Sequence, residues 1–516
     1  MAIIKESYEK ALGLVTTPKK TVEYIISELG NIKKDQKILD PCVGPGIFVK
    51  NLLDRNVKST QIYAFDINSF YKTQIEDLGV NFEVKDTLLD LNQESYNYFD
   101  FIIGNPPYLN KASTYIRENK IRLKKIYGKI NAHETYSMFI VNSIWRLKEG
   151  GKLGFITSDS YLSLSTHRKL RKFILDTCKI EELLLAPKNL FNNQNVNTSP
   201  AIIILTKCSG IENQHIRKEN LMTTIPRVKN EDDYFNSDIR YKIKQKDYDL
   251  LPFNIYFIDI EKEIIELFKK SFKLEEYIKG YIGMHTHDNL KYIAAIEGTE
   301  LAAIYNKRNK KIYNPNLKNK IISRDILESK NWKPYMKRGG ADQYYRPIME
   351  ALDWDSKSIP IYDIPDNVPF EKEGVIISGI SSRLAARYMS KGCYWDSNKA
   401  IGFIVKDCAI SIYYFLGLLN SSLYNYLAKG IINNTNSIQL TGLHALPFIP
   451  PSRDLSEKVE TLVKEIIENK IKNVDYNYTS KQKQIDNLVY NHYSDKFSFP
   501  TSLKKKLDFE FSIYST

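Results

Sequence analysis

The residues best suited to chemistry form a short run, Asn105-Pro106-Pro107-Tyr108, directly after the apolar segment FDFIIG. The two prolines fix φ and lack an N–H group, so carbonyl oxygens and the Asn105 amide can point into one pocket. Such acceptors suit an amine attached to an aromatic ring, because hydrogen bonds from its N–H groups localise the nitrogen lone pair for attack. Tyr108 offers a face on which a planar base can stack or a sulfonium cation can lie. The run predicts methyl transfer to a planar amine.

A second group of residues predicts a nucleoside site. Asp40-Pro41-Cys42-Val43-Gly44-Pro45-Gly46 stands where a predicted strand turns into a helix, and glycines there let the backbone approach a ligand. Asp66 ends the next predicted strand and Asp86 ends the third. The Asp66 carboxylate is placed to accept hydrogen bonds from ribose hydroxyls, and the Asp86 carboxylate from an adenine amine. Because no GxGxxG or GxxxxGK[ST] loop is present, a nucleoside without phosphates is favoured over a dinucleotide.

The pattern of helices and strands around these residues predicts an α/β fold. Continuous apolar strands alternate with helices over the first two hundred residues, which predicts a mostly parallel, doubly wound, Rossmann-like sheet. The ends of such strands meet along one edge, where ligands bind. A polar, irregular stretch follows, then short strands and turns, then helical spacing. We expect a catalytic domain at 1–210, a linker or crossover at 211–272, an α+β domain at 273–451 and a helical tail at 452–516.

Bulk composition narrows the class of protein. The chain has 516 residues, a net charge of +13 and a pI near 9.0, which favour a polyanionic partner such as nucleic acid. Five cysteines lack the spacing of a disulfide framework or a zinc site, so we expect no metal. No apolar run reaches the roughly 18 residues of a membrane span, and the N-terminus has no signal-peptide core. We therefore expect a cytoplasmic protein without a membrane partner.

The order of these motifs resembles the γ-class (TaqI-type) amino-methyltransferases of restriction-modification systems, over the whole chain. Gly13-Leu14-Val15-Thr16-Thr17-Pro18 resembles their motif X, and the groups at Asp40, Asp66, Asp86 and Asn105 resemble motifs I to IV. The resemblance implies S-adenosylmethionine as methyl donor and the N6 amine of an adenine flipped from duplex DNA as acceptor. It implies cofactor contacts from Thr17, Asp40, Pro41, Gly44, Gly46, Asp66, Asp86, Asn105, Tyr136 and Phe139. It also implies that Phe191 packs on the flipped base, opposite the face that Tyr108 covers.

Two regions are candidates for contact with DNA. Between 111 and 129 there are seven basic residues and one acid, Glu118, which predicts phosphate contacts beside the catalytic pocket from residues such as Lys111, Lys124 and Lys125. The stretches 332–346, 379–396 and 416–428 resemble the TaqI-like specificity domain shared with type IIG enzymes. The resemblance makes Lys337, Arg338, Arg383 and Arg387 candidates for contact with DNA in that domain.

Several functional alternatives stay open at this level. The same pocket can serve cytosine N4, although NPPY favours adenine because N4 relatives more often carry SPP-type loops. Release-factor and ribosomal-RNA methyltransferases also use NPPY-like loops, but those chains are typically much shorter. A non-catalytic DNA-binding specificity module is the alternative from another class. Relatives that cleave DNA carry a nuclease segment before motif X. Since motif X begins here at Gly13, we expect a methylating subunit without a nuclease domain of its own, and a separate restriction endonuclease or defence subunit as its partner is left open.

Overall fold

A computed structural model describes residues 13, 15–90, 92–191, 199–337, 339–397, 399–406, 409–433 and 436–514. The chain forms two compact units, Met1–Ile260 and Glu261–Thr516. In the described residues, no helix combines the length and the apolar character that a membrane span requires.

The first unit is built on a nine-stranded sheet with the strand order β3-β2-β1-β4-β5-β7-β6-β8-β9. Strands β3, β2, β1, β4 and β5 run parallel to one another, whereas β7 is antiparallel to both of its neighbours. The strands are β1 Ile38–Asp40, β2 Ile62–Asp66, β3 Asn81–Val84, β4 Phe99–Gly104, β5 Leu147–Ser158, β6 Cys178–Leu185, β7 Pro200–Lys207, β8 Leu221–Ile225 and β9 Tyr241–Lys244. The helices are α1 Lys19–Leu29, α2 Ile47–Asp54, α3 Lys72–Glu76, α4 Thr114–Glu118, α5 Lys120–Tyr127, α6 Thr135–Arg146, α7 Ser160–Ser163, α8 Arg168–Thr177, α9 Gln214–Glu219 and α10 Asp233–Asn236.

Burial of the central strands confirms the predicted α/β class. All eight residues of β7 are buried, so the side chains on both faces of this strand lie in the interior. On β5, a Cβ at Gly154 would lie 2.8 Å from the side chain of Ile25, which shows how closely α1 packs on the sheet. The strand order reverses between β1 and β4, and a doubly wound sheet opens a ligand crevice at that point.

The segment 211–272, which the sequence suggests is a linker, contains two strands of this sheet. β8 pairs in parallel with β6, and β9 closes the edge antiparallel to β8. The compact first unit therefore extends to Ile260. β9 carries only alternating partly buried and exposed residues, as an edge strand does, and its four residues are too few to give a clear period.

The second unit combines three small sheets with helices, as predicted. A four-stranded antiparallel sheet has the order β11-β19-β16-β17, a mixed sheet the order β13-β12-β15-β14-β18, and β10 pairs with β20. The strands are β10 Phe272–Lys273, β11 Ile278–Ile282, β12 Ile293–Ile296, β13 Lys320–Ile322, β14 Trp332–Met336, β15 Glu350–Asp353, β16 Gly374–Ser378, β17 Ala386–Met389, β18 Tyr394–Trp395, β19 Ala400–Val405 and β20 Pro447–Phe448. The helices are α11 Lys262–Lys270, α12 Asn289–Tyr292, α13 Glu300–Asn309, α14 Ile412–Asn420, α15 Ser422–Asn425, α16 Leu440–His444, α17 Arg453–Lys472, α18 Thr479–Phe497 and α19 Thr501–Lys506.

The helical tail packs closely on the rest of this unit. A Cβ at Gly417 of α14 would lie 2.5 Å from Val459 of α17 and 3.5 Å from Ile485 of α18. Val459, Val463 and Ile485 are fully buried. The tail is therefore part of the hydrophobic core of the second unit.

Candidate active site

The predicted motifs meet at the carboxyl edge of the first sheet. A cavity of about 690 Å3, which includes space open to solvent, lies there. Six of the predicted residues line it: Pro41, Asp66, Asp86, Asn105, Pro107 and Phe139. The other predicted cofactor residues, Thr17, Asp40, Gly44, Gly46 and Tyr136, are not among the described lining residues.

Asp66 sits at the end of β2 and is tied to the glycine loop. One carboxylate oxygen accepts a 2.7 Å hydrogen bond from the Gly44 N–H, and the other accepts from the Asn68 N–H at 2.8 Å. Burial raises the pKa of Asp66, while the backbone donors oppose that shift. Each oxygen has a second lone pair, so the carboxylate can also accept hydrogen bonds from a ligand in the cavity.

Asp40 ends β1 and lies just beneath the cavity wall. It is 2% exposed and accepts a 3.2 Å hydrogen bond from the N–H of Cys42, which lines the cavity. Burial raises the pKa of Asp40 to about 8, with a further upward contribution from the charge of Asp66. A cationic group brought close to Asp40 would be stabilised by the ionised carboxylate and would lower this pKa.

Asp86 follows β3 and is bound by a residue of the basic segment. The hydroxyl of Tyr115, on α4, donates to the Asp86 carboxylate at 2.9 and 3.0 Å from its two oxygens. The Leu88 N–H donates to the same side chain at 3.0 Å. Tyr115 also lines the cavity. The basic segment is therefore connected to the predicted cofactor side of the site.

The Asn105 side chain is fixed by motif X. Its amide nitrogen donates to the Val15 carbonyl and to the Thr17 hydroxyl, both at 3.0 Å. Since the Val15 carbonyl can only accept, the NH2 group must face it, and this sets the orientation of the amide. The Asn105 Oδ1 atom accepts from the Tyr108 hydroxyl at 2.8 Å and has a second lone pair for another donor.

Thr135, the first residue of α6, holds the Asn105–Tyr108 loop, which we predict to be catalytic, from the other side. Its hydroxyl donates to the Pro107 carbonyl and accepts from the Leu109 N–H at 3.0 Å. The Thr135 N–H donates to the Leu109 carbonyl at 3.0 Å. The loop after β4 is therefore fixed on both flanks, by motif X and by the start of α6.

Two aromatic residues lie beside the amide. The ring centroids of Tyr108 and Phe191 are 6.2 Å apart with an interplanar angle of 52°, and Phe191 is 1% exposed. Each face-to-face contact needs roughly 3.5–4 Å, so a base between them would require the rings to separate by about 1–2 Å. Tyr136 is 2% exposed, meets Tyr108 edge-on at 6.3 Å and bonds Ser160 and His167, so it supports Tyr108 from the interior.

A basic cleft of about 1600 Å3, partly open to solvent, lies in the same unit. Six cationic side chains line it: Lys111, Arg117, Lys120 and Lys124 from the predicted segment, and Arg168 and Lys169 of α8. Among its described lining residues there is no carboxylate. Lys125 is exposed on α5 but does not line this cleft. The sequence pattern did not include Arg168 and Lys169 because they lie forty residues further along the chain.

Three residues predicted to contact DNA from the second unit have partners within the protein. Arg387 is 2% exposed on β17, its guanidinium donates to the Ser378 hydroxyl at 3.1 Å, and burial lowers its pKa to about 9. Burial therefore excludes Arg387 from direct DNA contact in this conformation. Lys337 forms an ion pair with Asp396 at 3.0 Å, and the Arg383 guanidinium donates to the Ser512 carbonyl. Arg338 lies outside the described residues.

Sequence reasoning missed several residues of the cavity wall. Asn68 and Tyr71 line the cavity beside Asp66, and their nearness in sequence to that carboxylate was the available signal. Tyr115 and Thr135 gave no such signal, because a loop and a helix bring them back to the site from further along the chain.

Comparison with known proteins agrees with this geometry. Residues 4–246 match the family model described as N-6 DNA Methylase. The matched residues, just under half of this chain, are similar to that family. The match confirms the predicted resemblance and S-adenosylmethionine as the cofactor that the family implies. The matched residues of this methylase region include the glycine loop, the three carboxylates and the Asn105–Tyr108 run.

Individual relatives match the same region. Type II methyltransferase M.HincII of Haemophilus influenzae is 27% identical over 234 residues, which are 44% of this chain and 43% of that protein. Type II methyltransferase M.TthHB8I of Thermus thermophilus is 31% identical over 177 residues, which are 32% of this chain and 39% of that protein. The matched part thus spans about two fifths of the length of either relative.

A solved structure has a similar fold over nearly all of this chain. The type IIL restriction-modification enzyme MmeI, determined in complex with DNA, aligns with 96% of this chain and 74% of its own, with a TM-score of 0.58 and 12% identity. At this identity the likeness shows the fold alone. It supports the predicted architecture, a methyltransferase sheet followed by smaller sheets and terminal helices.

Proposed function

We propose that this methylase is a site-specific DNA methyltransferase that transfers a methyl group from S-adenosylmethionine to the N6 amine of an adenine flipped from duplex DNA. The orientation of the Asn105 amide carries the proposal. Val15 and Thr17 bind both of its N–H groups, so Oδ1 is left as the acceptor at the cavity wall. An acceptor in that position selects an amine substrate.

The residues of the cavity fit S-adenosylmethionine. A buried carboxylate is unfavourable unless donors satisfy it, and a ribose would supply two hydroxyl donors to Asp66. Asp86 would accept from the adenine amine after exchange of its Tyr115 contact, Asp40 would face the methionine amino group, and Phe139 would contact the adenine. When bound, the cofactor supplies an electrophilic methyl group on a sulfonium. The chain supplies shape, acceptors and the exclusion of water.

The loop residues act on the acceptor base. Asn105 Oδ1 and the Pro106 carbonyl would accept the two N6–H hydrogen bonds, which keeps the amine lone pair available for in-line attack. Tyr108 and Phe191 would move apart and stack on the two faces of the base, which offsets part of the cost of unstacking it. Acceleration then comes from positioning and from the fixed dipole of Asn105 rather than from a strong base.

The basic cleft supports DNA as the macromolecular substrate. Its cations would neutralise backbone phosphates and hold the duplex near the catalytic loop without specifying sequence. We assign base recognition to the second unit, where Lys337 and Arg383 remain candidates that would have to exchange their internal partners. A role in restriction-modification, with a separate endonuclease or defence subunit, is the context we propose.

Cytosine N4 is the second candidate acceptor, because the same acceptors can bind either exocyclic amine. The match of residues 4–246 to the N-6 DNA methylase family favours adenine. Nucleoside analysis of methylated duplex DNA distinguishes the two products directly.

The decisive experiment compares the full chain with Asn105→Ala, using labelled S-adenosylmethionine, duplex DNA, and RNA as the competing substrate. We expect N6-methyldeoxyadenosine from the wild type and a loss of rate of at least about 100-fold in the variant, since a fixed acceptor at the reacting group is removed. Cofactor affinity, measured by calorimetry, should change less than about threefold, because we expect Asn105 to contribute less to cofactor binding than one full hydrogen bond.

Asn316→Ala is the matched control, because Asn316 is an exposed asparagine in the second unit. It should methylate like the wild type. Methylation of RNA alone, N4-methyldeoxycytidine as the product, or full activity in Asn105→Ala would each contradict the proposal.

A further inference from the structure

Three potential metal ligands meet in the second unit, outside the matched residues 4–246. They are His285 and His287, which follow β11, and Asp363, and their ligand atoms all lie within 4.8 Å of one another. The two imidazole rings are edge to face with centroids 4.6 Å apart. The His287 Nε2 atom is 3.0 Å from the Asp363 carboxylate. This grouping has the donors of a metal site.

Backbone pairing holds the two segments in register. The His285 N–H donates to the Asp363 carbonyl at 3.1 Å, and the Asp363 N–H donates back to the His285 carbonyl at 2.9 Å. The two residues therefore form an isolated antiparallel bridge. The main-chain pairing therefore brings together two segments almost eighty residues apart in sequence without a bound ion. A preorganised site of this kind loses less entropy on binding.

The backbone of His287 is in a conformation that favours glycine. Its φ is +60°, in the left-handed region, where a non-glycine residue costs roughly 1–2 kcal/mol. Its two neighbours stabilise the turn: the Thr286 hydroxyl donates to Asn289 Oδ1 at 2.9 Å, and Asp288 accepts from the Lys291 N–H at 3.1 Å. An imidazole at the strained position between them is explained if the side chain has a ligand to bind.

We propose that His285, His287 and Asp363 bind a divalent transition-metal ion, with zinc as the best fit. Two imidazoles and one carboxylate are ligands between hard and soft in character. They suit zinc, cobalt and nickel, whereas magnesium and calcium take oxygen ligands. Since the side chains of His287 and Asp363 are 50% and 72% exposed, water would complete the coordination. The site does not depend on the proposed methylation.

The ion would stabilise the turn that carries Lys337's partner. The Lys337 Nζ donates to Asn289 Oδ1 at 2.6 Å, and Asn289 lies two residues after His287. A metal that links residues 285–287 to Asp363 would therefore help to fix Asn289, which accepts the hydrogen bond from Lys337. Its role is structural, because it links two loops of the unit that we assign to base recognition.

The test uses the full chain without a polyhistidine tag, after dialysis against a chelator. We expect Co2+ to give d–d absorption bands that saturate at one ion per chain, and Zn2+ to displace it. Saturating Zn2+ should raise the unfolding temperature by about 2–4 °C, as ligand binding to the native state alone requires. Asp363→Asn should weaken Co2+ binding by at least about tenfold.

His287→Gly separates ligand loss from misfolding. Glycine fits the left-handed backbone, so this variant should keep a cooperative unfolding transition and yet lose the cobalt bands. His215→Ala, at an exposed histidine of the first unit, is the control and should keep them. Absence of cobalt bands in the wild type, or wild-type bands in His287→Gly, would overturn the proposal.

Discussion

Thr135 illustrates how one hydroxyl can set the geometry of a loop that we propose to be catalytic. It donates to the Pro107 carbonyl, which follows the carbonyl that would bind the base, and it accepts from the Leu109 N–H. Asn105 and Thr135 thus fix opposite ends of a run in which the prolines provide no N–H group of their own. Thr135 is a positioning residue in the proposed reaction, and its effect should appear in the rate rather than in cofactor binding.

Thr135→Val tests this role because valine keeps the shape and removes both hydrogen bonds. We expect the single-turnover methylation rate to fall roughly 10- to 100-fold, since small displacements of reacting groups have effects of that size. The dissociation constant for S-adenosylmethionine should stay within about twofold, since the Thr135 hydroxyl bonds the catalytic loop rather than the predicted cofactor residues. Thr135→Ser, which restores the hydroxyl, should recover most of the rate; a serine variant as slow as the valine variant would contradict the argument.

Asp40 makes a prediction about pH. Its pKa in the folded protein is about 8, whereas an unfolded aspartate titrates near about 3.9. The folded state therefore holds the extra proton between these values, so the contribution of Asp40 to stability is full below about pH 4 and is lost as the pH rises through about 8. Burial is the main cause of the shift.

Asp40→Asn should remove this dependence. Urea unfolding of the full chain at pH 5, 6, 7 and 8, without cofactor, should show a smaller decline in the free energy of unfolding for the variant than for the wild type. The difference between the two proteins isolates Asp40 from Glu182, whose pKa burial raises to about 7 and which contributes in the same direction. Asp77→Asn, at an exposed position, should follow the wild-type curve. Parallel curves for Asp40→Asn and the wild type would be evidence against a protonated Asp40.

At the scale of elements, the turn from β1 into α2 depends on the absence of a side chain. Gly46 precedes α2 with a φ of +83°, and a Cβ there would lie 2.6 Å from the Ile75 side chain of α3. The clashing atom is the Ile75 Cδ1 methyl carbon. Ile75→Val removes that methyl, so a comparison of Gly46→Ala with and without Ile75→Val separates backbone strain from crowding.

In the Ile75→Val background, Gly46→Ala should lower the free energy of unfolding by roughly 1–2 kcal/mol through the left-handed conformation alone. With Ile75 present, Gly46→Ala should lower it by about 1–3 kcal/mol more, because the buried Ile75 side chain must shift, and should weaken cofactor binding because the loop also carries Gly44. Denaturant unfolding and calorimetry check both effects. Equal destabilisation by Gly46→Ala in the two backgrounds would mean that Ile75 yields freely.

The sequence predicted the part of the fold in which the pattern is continuous. Apolar strands such as β4 and β7 are buried on both faces, so the α/β class and the positions of Asp66 and Asp86 at strand ends could be predicted. β8 and β9 could not, because short edge strands with exposed residues look like a polar linker. Arg387 shows a second limit, since an arginine in a polar-looking motif gives no sign that its strand lies inside the unit.

The same limit applies within the candidate site. Residues that follow strands were found because the sheet brings strand ends together. Tyr115 and Thr135 lie on helices after a long loop, and their contacts with Asp86 and Pro107 depend on how that loop folds back. Hydrophobic periodicity predicts single helices and strands. It does not predict how a loop folds back to bring distant residues into contact.

At the scale of the whole molecule, the positive charge has an uneven distribution that matters for DNA. The net charge is +13, and the cleft after the catalytic loop gathers six cations with no carboxylate among its described lining residues. Lys33 and Lys34 are also exposed in the first unit, but they precede β1 and so lie at the amino ends of the strands. Charge removed at the two places should therefore have different effects on DNA binding.

The double variant Lys111→Ala/Lys124→Ala should weaken duplex binding for all sequences alike and reduce its dependence on salt. Each lost phosphate contact lowers the magnitude of the slope of log K against log salt by about 0.9, so two contacts should lower it by about 1.8. Fluorescence anisotropy of a labelled duplex measures this slope. Salt concentrations from about 50 to about 300 mM cover the range over which such slopes are usually determined. Lys33→Ala/Lys34→Ala removes the same charge at the opposite edge and should leave the slope within about 0.5 of the wild type. If both double variants shift the slope equally, net charge rather than the cleft governs binding, and the phosphate contacts that we assign to Lys111 and Lys124 would have to be given up.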